Sequence, residues 1–134
     1  MKHISLNPKS LFNSQQYGFS QAVITTGTKQ VFLSGQVAVD ENEMLTATSM
    51  YDQACKCLEN IEKLLSELDA DMTSVAMLRI YIRDDASSEQ EQIEISNALN
   101  LYFKTHMPAS SWVLVSGLSC PEWLLEIEAQ AVIA

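Results

Sequence analysis

Two glutamates sit two residues apart in the run Leu125-Glu-Ile-Glu-Ala129. They alternate with apolar residues, the signature of one face of a β-strand. A carboxylate held on such a face can orient a water or carry a proton. A second stretch, Pro108-Ala-Ser-Ser-Trp-Val113, places two hydroxyls and an indole at the mouth of another strand-like run. Arg79, in Leu78-Arg-Ile-Tyr-Ile-Arg83, shares the face of Glu126 by strand parity. It is expected either to pair with Glu126 or Glu128 or to aim its charge into a cleft. A serine nucleophile needs a base within hydrogen-bond reach. The two histidines, His3 in the leader and His106 at the end of the second helical segment, do not supply one. No G-x-S-x-G elbow and no P-loop occurs. Cys55 and Cys57 stand at i and i+2 of a helical pattern, where side chains do not face each other. With Cys120 they read as reduced thiols, without disulfide or zinc spacing. No metal and no cofactor is expected.

The elements that position these residues follow from periodicity. Residues 1–20 read as polar and irregular. Residues 22–26 and 31–39 read as strands joined by a turn, a hairpin, with Gly35 marking a bulge or a close approach. Residues 49–68 change to a helical period, with Ala54, Cys57, Leu58, Ile61, Leu64, Leu65 and Leu68 on one stripe. Ser49 is placed to cap this helix, with Asp52 in its first turn. Residues 74–83 form a third strand. Ser88 and Glu91 match a capping box for a second helix, which presents Ile95, Leu99, Tyr102 and Phe103 and runs to about residue 106. Strands at about 111–116 and 124–133 complete the order ββ-α-β-α-ββ. Right-handed crossovers put both helices on one face. The expected fold is an α+β two-layer sandwich, one mixed sheet under two helices, in a single domain spanning residues 1–134.

Alternation assigns Leu78, Ile80, Ile82, Val113, Val115, Ile127, Ala129 and Ala131 to the helix side. Met77, Arg79, Tyr81, Trp112, Leu114, Glu126 and Glu128 then fall on the open side. Nothing in the chain covers that side, and a large exposed apolar patch marks an interface. A homo-oligomer is expected, with the charged members near a junction between subunits. Seventeen acids against eight bases give a net charge of −9. The bases are scattered, so neither nucleic acid nor an anionic membrane is an expected partner. No apolar run is long enough to span a bilayer. The N-terminal stretch lacks the apolar core of a signal peptide, so a cytoplasmic location is expected.

Several motifs occur in a specific order: Tyr17-Gly-Phe-Ser-Gln-Ala22, Phe32-Leu-Ser-Gly-Gln-Val-Ala-Val39, Cys57-Leu-Glu-Asn-Ile61, Ile80-Tyr-Ile-Arg-Asp84, Pro108-Ala-Ser-Ser-Trp-Val113 and Leu125-Glu-Ile-Glu-Ala129. From about residue 17 to the C-terminus the chain resembles the RidA/YjgF family, reactive intermediate deaminases once described as endoribonucleases or translation inhibitors. The resemblance implies a chorismate-mutase-like fold and a homotrimer with a small-molecule cleft between each pair of subunits. In the deaminating branch the substrates are 2-imino or enamino acids. An arginine directly after Pro-Ala clamps their carboxylate through two charge-assisted bonds. A glutamate of the last strand orients the attacking water. By position the glutamate is Glu126, the cleft-lining glycine is Gly35, and the N-terminal aromatic is Phe19. Ser110 stands in place of the arginine, and Trp112 where a small residue is common. Losing a charged partner for a carboxylate costs about 1.5–3 kcal/mol. The resemblance thus implies a branch without the anchoring arginine. Such a protein would be an enzyme that hydrates or tautomerises an imine or enamine held by Phe19, Gly35, Ser110, Trp112 or Arg79. The alternative is a non-catalytic trimer that binds or senses a metabolite. Endoribonuclease activity, ascribed to some members, is disfavoured by the charge and the missing arginine.

Overall fold

Ser49 leaves the chain extended and its hydroxyl accepts the Asp52 N–H, so helix α1 (Met50–Ser66) starts at its expected cap. Helix α2 (Glu89–Phe103) starts at a complete capping box between Ser88 and Glu91. It ends before His106, because Lys104 adopts φ 55°. These features belong to a computed structural model that describes residues 2–134.

The strands are β1 (Lys2–Leu6), β2 (Ala22–Thr26), β3 (Lys29–Gln36), β4 (Val75–Arg83), β5 (Ala109–Val115) and β6 (Leu125–Ile133). Four of them form a mixed sheet in the order β3-β6-β4-β5. Only β4 and β5 run parallel, joined through α2. The helices bury Cys57, Leu58, Ile61, Leu65, Ile95 and Leu99 against Leu78, Ile80, Ile82 and Ile127. This is the expected two-layer sandwich. Leu64 and Leu68, expected in the α1 stripe, are exposed and lie at its margin.

The N-terminal segment departs from expectation. Residues 2–6 form a strand rather than an irregular leader, and β2 pairs with β1, from Leu6↔Ala22 to Lys2↔Thr26. Strand propensity marks β2 as extended but does not choose its partner. The edge of β3 is taken by β6, from Lys29↔Ile133 onward. Gly27 and Thr28 therefore make a crossing rather than a hairpin turn. The β1–β2 ribbon is tied to β5 by the Ser20 N–H donating to Pro108 O, and to β6 by the Thr28 N–H donating to Ile133 O. The β3–β6 register shifts between Leu33 and Gln36, which places the expected bulge at Gly35.

A buried polar residue fixes the approach to β6. Gln53, wholly inaccessible, donates to Ala47 O and Glu122 O and accepts the Leu124 N–H at 2.9 Å. Gln53→Leu leaves one N–H and two carbonyls without their partner. It is expected to lower stability by about 1–3 kcal/mol in urea titrations.

Three surface carboxyls are held below their ordinary values: Asp40 by the N–H groups of Met44 and Asn42, Glu59 by Lys63, and Asp85 by Arg83. Depressed carboxyls stabilise the fold above the unfolded-state values, and that contribution disappears as pH falls through the folded-state ones. The denaturation midpoint is therefore expected to hold from neutrality down to about pH 4–5 and to decline below it. A midpoint that rises on acidification contradicts this.

Candidate functional site

Glu126 and Glu128 project from the sheet face opposite the helices, between the buried Leu125, Ile127 and Ala129. Across the sheet Tyr81 pairs with Glu126 and Arg79 with Glu128; beyond them, on β5, come Val113 and Ser111. Glu128 is engaged. Its Oε1 accepts the Tyr81 hydroxyl at 2.8 Å and lies 3.8 Å from Arg79 Nη1. The hydrogen bond to Glu128 pushes the Tyr81 phenol above its ordinary value. Of the two roles expected for Arg79, the structure shows the ion pair. Both partners are substantially solvated, so the pair contributes little to stability.

Glu126 is differently held. A Cβ built on Gly35 would lie 2.7 Å from both Cγ and Cδ of Glu126 and nearer still to Oε2. The β3 bulge thus brings bare backbone against the carboxylate. No hydrogen bond to the Glu126 carboxylate forms among the described residues. Cys57 lies behind this region; burial first, and the Glu126 charge second, push its thiol far above the usual range. A thiol so placed stays protonated and inert. Beside the glutamates, Phe32, Met77, Arg79, Glu128 and Gln130 border a shallow hollow of about 240 Å³, with Phe32 70% exposed.

The parity expected for β5 is corrected. Ser110 pairs with Leu78, Trp112 with Ile80 and Leu114 with Ile82, so these three share the helix side. Ser111 and Val113 take the open side. The run Trp112-Val-Leu-Val115 is apolar throughout and carries no period-two signal. The parallel register with β4 sets its phase instead. Trp112 donates its indole N–H to Ser110 Oγ at 2.9 Å. Ser110 thus serves as an acceptor for the indole.

Trp112 also lines a cavity of about 620 Å³ beside the first turns of α2, with Phe12, Tyr17, Phe19, Glu89 and Gln92. The Phe12 ring centroid lies 6.4 Å from that of Tyr17 and 6.3 Å from that of Phe19. Gly18 makes the cluster possible. Its φ of 98° is left-handed, and a Cβ there would meet Leu99 Cβ at 2.7 Å. Only glycine lets this segment press onto α2 while turning.

The six candidate residues therefore fall into two sets. Glu126 and Gly35 touch on the open face, with Arg79 one pair along the strands. Phe19 and Trp112 line one cavity beside α2 on the helix side, with Ser110 bonded to Trp112. Within this chain the sets lie on opposite faces of the sheet. Sequence reasoning missed Phe12 and Tyr17 as cavity walls and Ser111 as the open-face serine; the β4–β5 register would have revealed Ser111. Among the described residues no cluster of His, Cys, Asp or Glu is placed to hold a metal ion, and no helix is long and apolar enough to cross a membrane.

Comparison with known proteins places these features in a wider set. A family profile described as Endoribonuclease L-PSP matches residues 13–133. Protein HMF1 of Saccharomyces cerevisiae is 29% identical over 104 residues, which cover 78% of this chain and 75% of that protein. The crystal structure of YyfB from Yersinia pestis, a protein of unknown function in the conserved Rid family, superposes with a TM-score of 0.92 at 28% identity, covering 99% of this chain and 100% of that one. Rv2704 from Mycobacterium tuberculosis, a member of the YjgF/YER057c/UK114 family, gives a TM-score of 0.67 at 26% identity over 98% of this chain and 100% of that one.

Proposed function

Since the chain belongs to the RidA/YjgF family, whose profile spans residues 13–133, we propose that it works in the cytoplasm as a homotrimer that hydrolyses a small imine or enamine bearing no essential carboxylate. The two sets of residues then complete one cleft from neighbouring subunits. Glu126 over Gly35 comes from one subunit, and the aromatic cavity lined by Phe19 and Trp112, with Ser110 bonded to Trp112, from the next. The observation that carries this reading is the Glu126 carboxylate laid against the bare Gly35 backbone, with no protein partner of its own among the described residues.

Such a carboxylate can hold a water against an imine carbon. As the water oxygen bonds to the carbon of the protonated imine, Glu126 takes one water proton and the C=N electron pair becomes the lone pair on nitrogen. Glu126 returns that proton to the carbinolamine nitrogen. The C–N bond then breaks with its electrons leaving on ammonia, while the hydroxyl oxygen forms the carbonyl and gives its proton to Glu126, which releases it to water. An enamine enters the same route after protonation at carbon. No catalytic cofactor is involved in this route.

The missing arginine sets the substrate. Ser110 is bonded to the Trp112 indole, and among the described residues no lysine or arginine lines the aromatic cavity. The expected result is slow turnover of 2-iminobutanoate, generated in place by an amino-acid oxidase, and faster turnover of a carboxylate-free imine generated by an amine oxidase. Ser110→Arg restores a charged fork and raises the 2-iminobutanoate rate by about 10–100-fold, the equivalent of 1.5–3 kcal/mol. A wild-type protein that prefers 2-iminobutanoate overturns the assignment.

A second reading, a trimer that binds a metabolite without turnover, is favoured by the internal Ser110–Trp112 bond, which occupies one polar group of the cavity. Ligand-dependent thermal stabilisation with no hydrolysis of either imine distinguishes it.

A further inference from the structure

We infer that the aromatic cavity beside α2 selects an organic cation, a protonated amine or iminium carrying an apolar body. This rests on the preceding reading only in taking the cavity as the ligand-binding half of the cleft. Phe12, Tyr17, Phe19 and Trp112 line it, and among the described residues Glu89 is the one charged residue in its wall. Aromatic faces carry negative potential and attract cations, most strongly at tryptophan. A carboxylate at the rim adds to that potential. Gln92, though uncharged, works in the same direction. Its Nε2 is spent on Ser87 O at 2.8 Å, so its carbonyl oxygen is the end left free to accept an ammonium or iminium N–H.

The N-terminus of α2 lies nearby and would favour an anion. That end is already answered by Glu89, Glu91 and the Ser88 capping box. The protein's overall charge of −9 draws cations toward it and repels anions. An iminium is also the form of an imine most open to attack by water, so the ligand class suits the proposed chemistry.

Three probes of similar shape test this by titration calorimetry: benzyltrimethylammonium, benzyl alcohol and phenylacetate. The cation is expected to bind most tightly and phenylacetate most weakly. Phe12 is 62% exposed, so Phe12→Leu removes a π-face without endangering the fold. It is expected to weaken the cation several-fold, and Trp112→Leu by about 10-fold or more, as one desolvated cation–π contact implies. Glu89→Gln weakens the cation and leaves benzyl alcohol unchanged. Phenylacetate binding as tightly as the cation overturns the inference, as does cation binding indifferent to both aromatic replacements. The two readings fail separately. Hydrolysis of a carboxylate-free imine without cation binding sinks this inference alone. Cation binding that responds to Phe12 and Trp112, in a protein that hydrolyses neither imine, sinks only the proposed reaction.

Discussion

Glu126→Gln is expected to slow imine hydrolysis by on the order of 10²–10⁴-fold, the usual contribution of a positioned acid–base group. Glutamine keeps the shape of the side chain over Gly35 but takes no proton from water. Folding is not expected to suffer, because Glu126 has no protein hydrogen-bond partner among the described residues and only partial burial. The free energy of unfolding should stay within about 0.5 kcal/mol of wild type. Glu128→Gln is the control. It alters the Tyr81 hydrogen bond and the Arg79 pair two residues away, on the same face. It should leave the rate within a few-fold. If both variants lose activity equally, the role belongs to the acidic face as a whole and not to Glu126.

Gly35→Ala is expected to produce nearly the same loss by a different route. The added methyl would occupy the space of the Glu126 carboxylate and crowd its Cγ and Cδ at 2.7 Å. The crowded atoms end a flexible side chain on an open face, so the carboxylate can swing aside at modest cost. A stability loss at the low end of about 1–3 kcal/mol is expected, while turnover falls by 10²-fold or more. The pair must also be non-additive. Once Gly35→Ala has moved the carboxylate, changing it to glutamine removes little more, so the double variant should be no slower than the worse single one. Losses that multiply would mean that Gly35 acts on something other than Glu126.

The parts of this account legible in the sequence are those where local chemistry decides. Both helix caps, the β4 and β6 alternation and the Gly35 bulge are written in short patterns. Each depends on neighbours within a few residues or on a strict period of two. The parts that were not legible depend on pairing at a distance. Nothing local in residues 22–26 says that β2 joins β1 and not β3. Nothing in Trp112-Val-Leu-Val115 reveals its phase, because four apolar residues in succession fit either side of an edge strand. That one ambiguity moved Trp112 off the open face and split the candidate site in two. Gln53 escaped for the same reason: a glutamine on an amphipathic helix gives no sign that two loops converge on it.

The central claim, that neighbouring subunits supply the two halves of one cleft, is tested most directly by mixing inactive variants. Glu126→Gln lacks the half that moves the proton, and Trp112→Ala lacks the half that holds the ligand. Co-expressed with different tags and purified as mixed oligomers, they should regain hydrolysis of the carboxylate-free imine, because some clefts then combine an intact Glu126 with an intact Trp112. Activity no greater than the sum of the two parents, in oligomers shown to contain both chains, would contradict the claim and return the site to a single subunit.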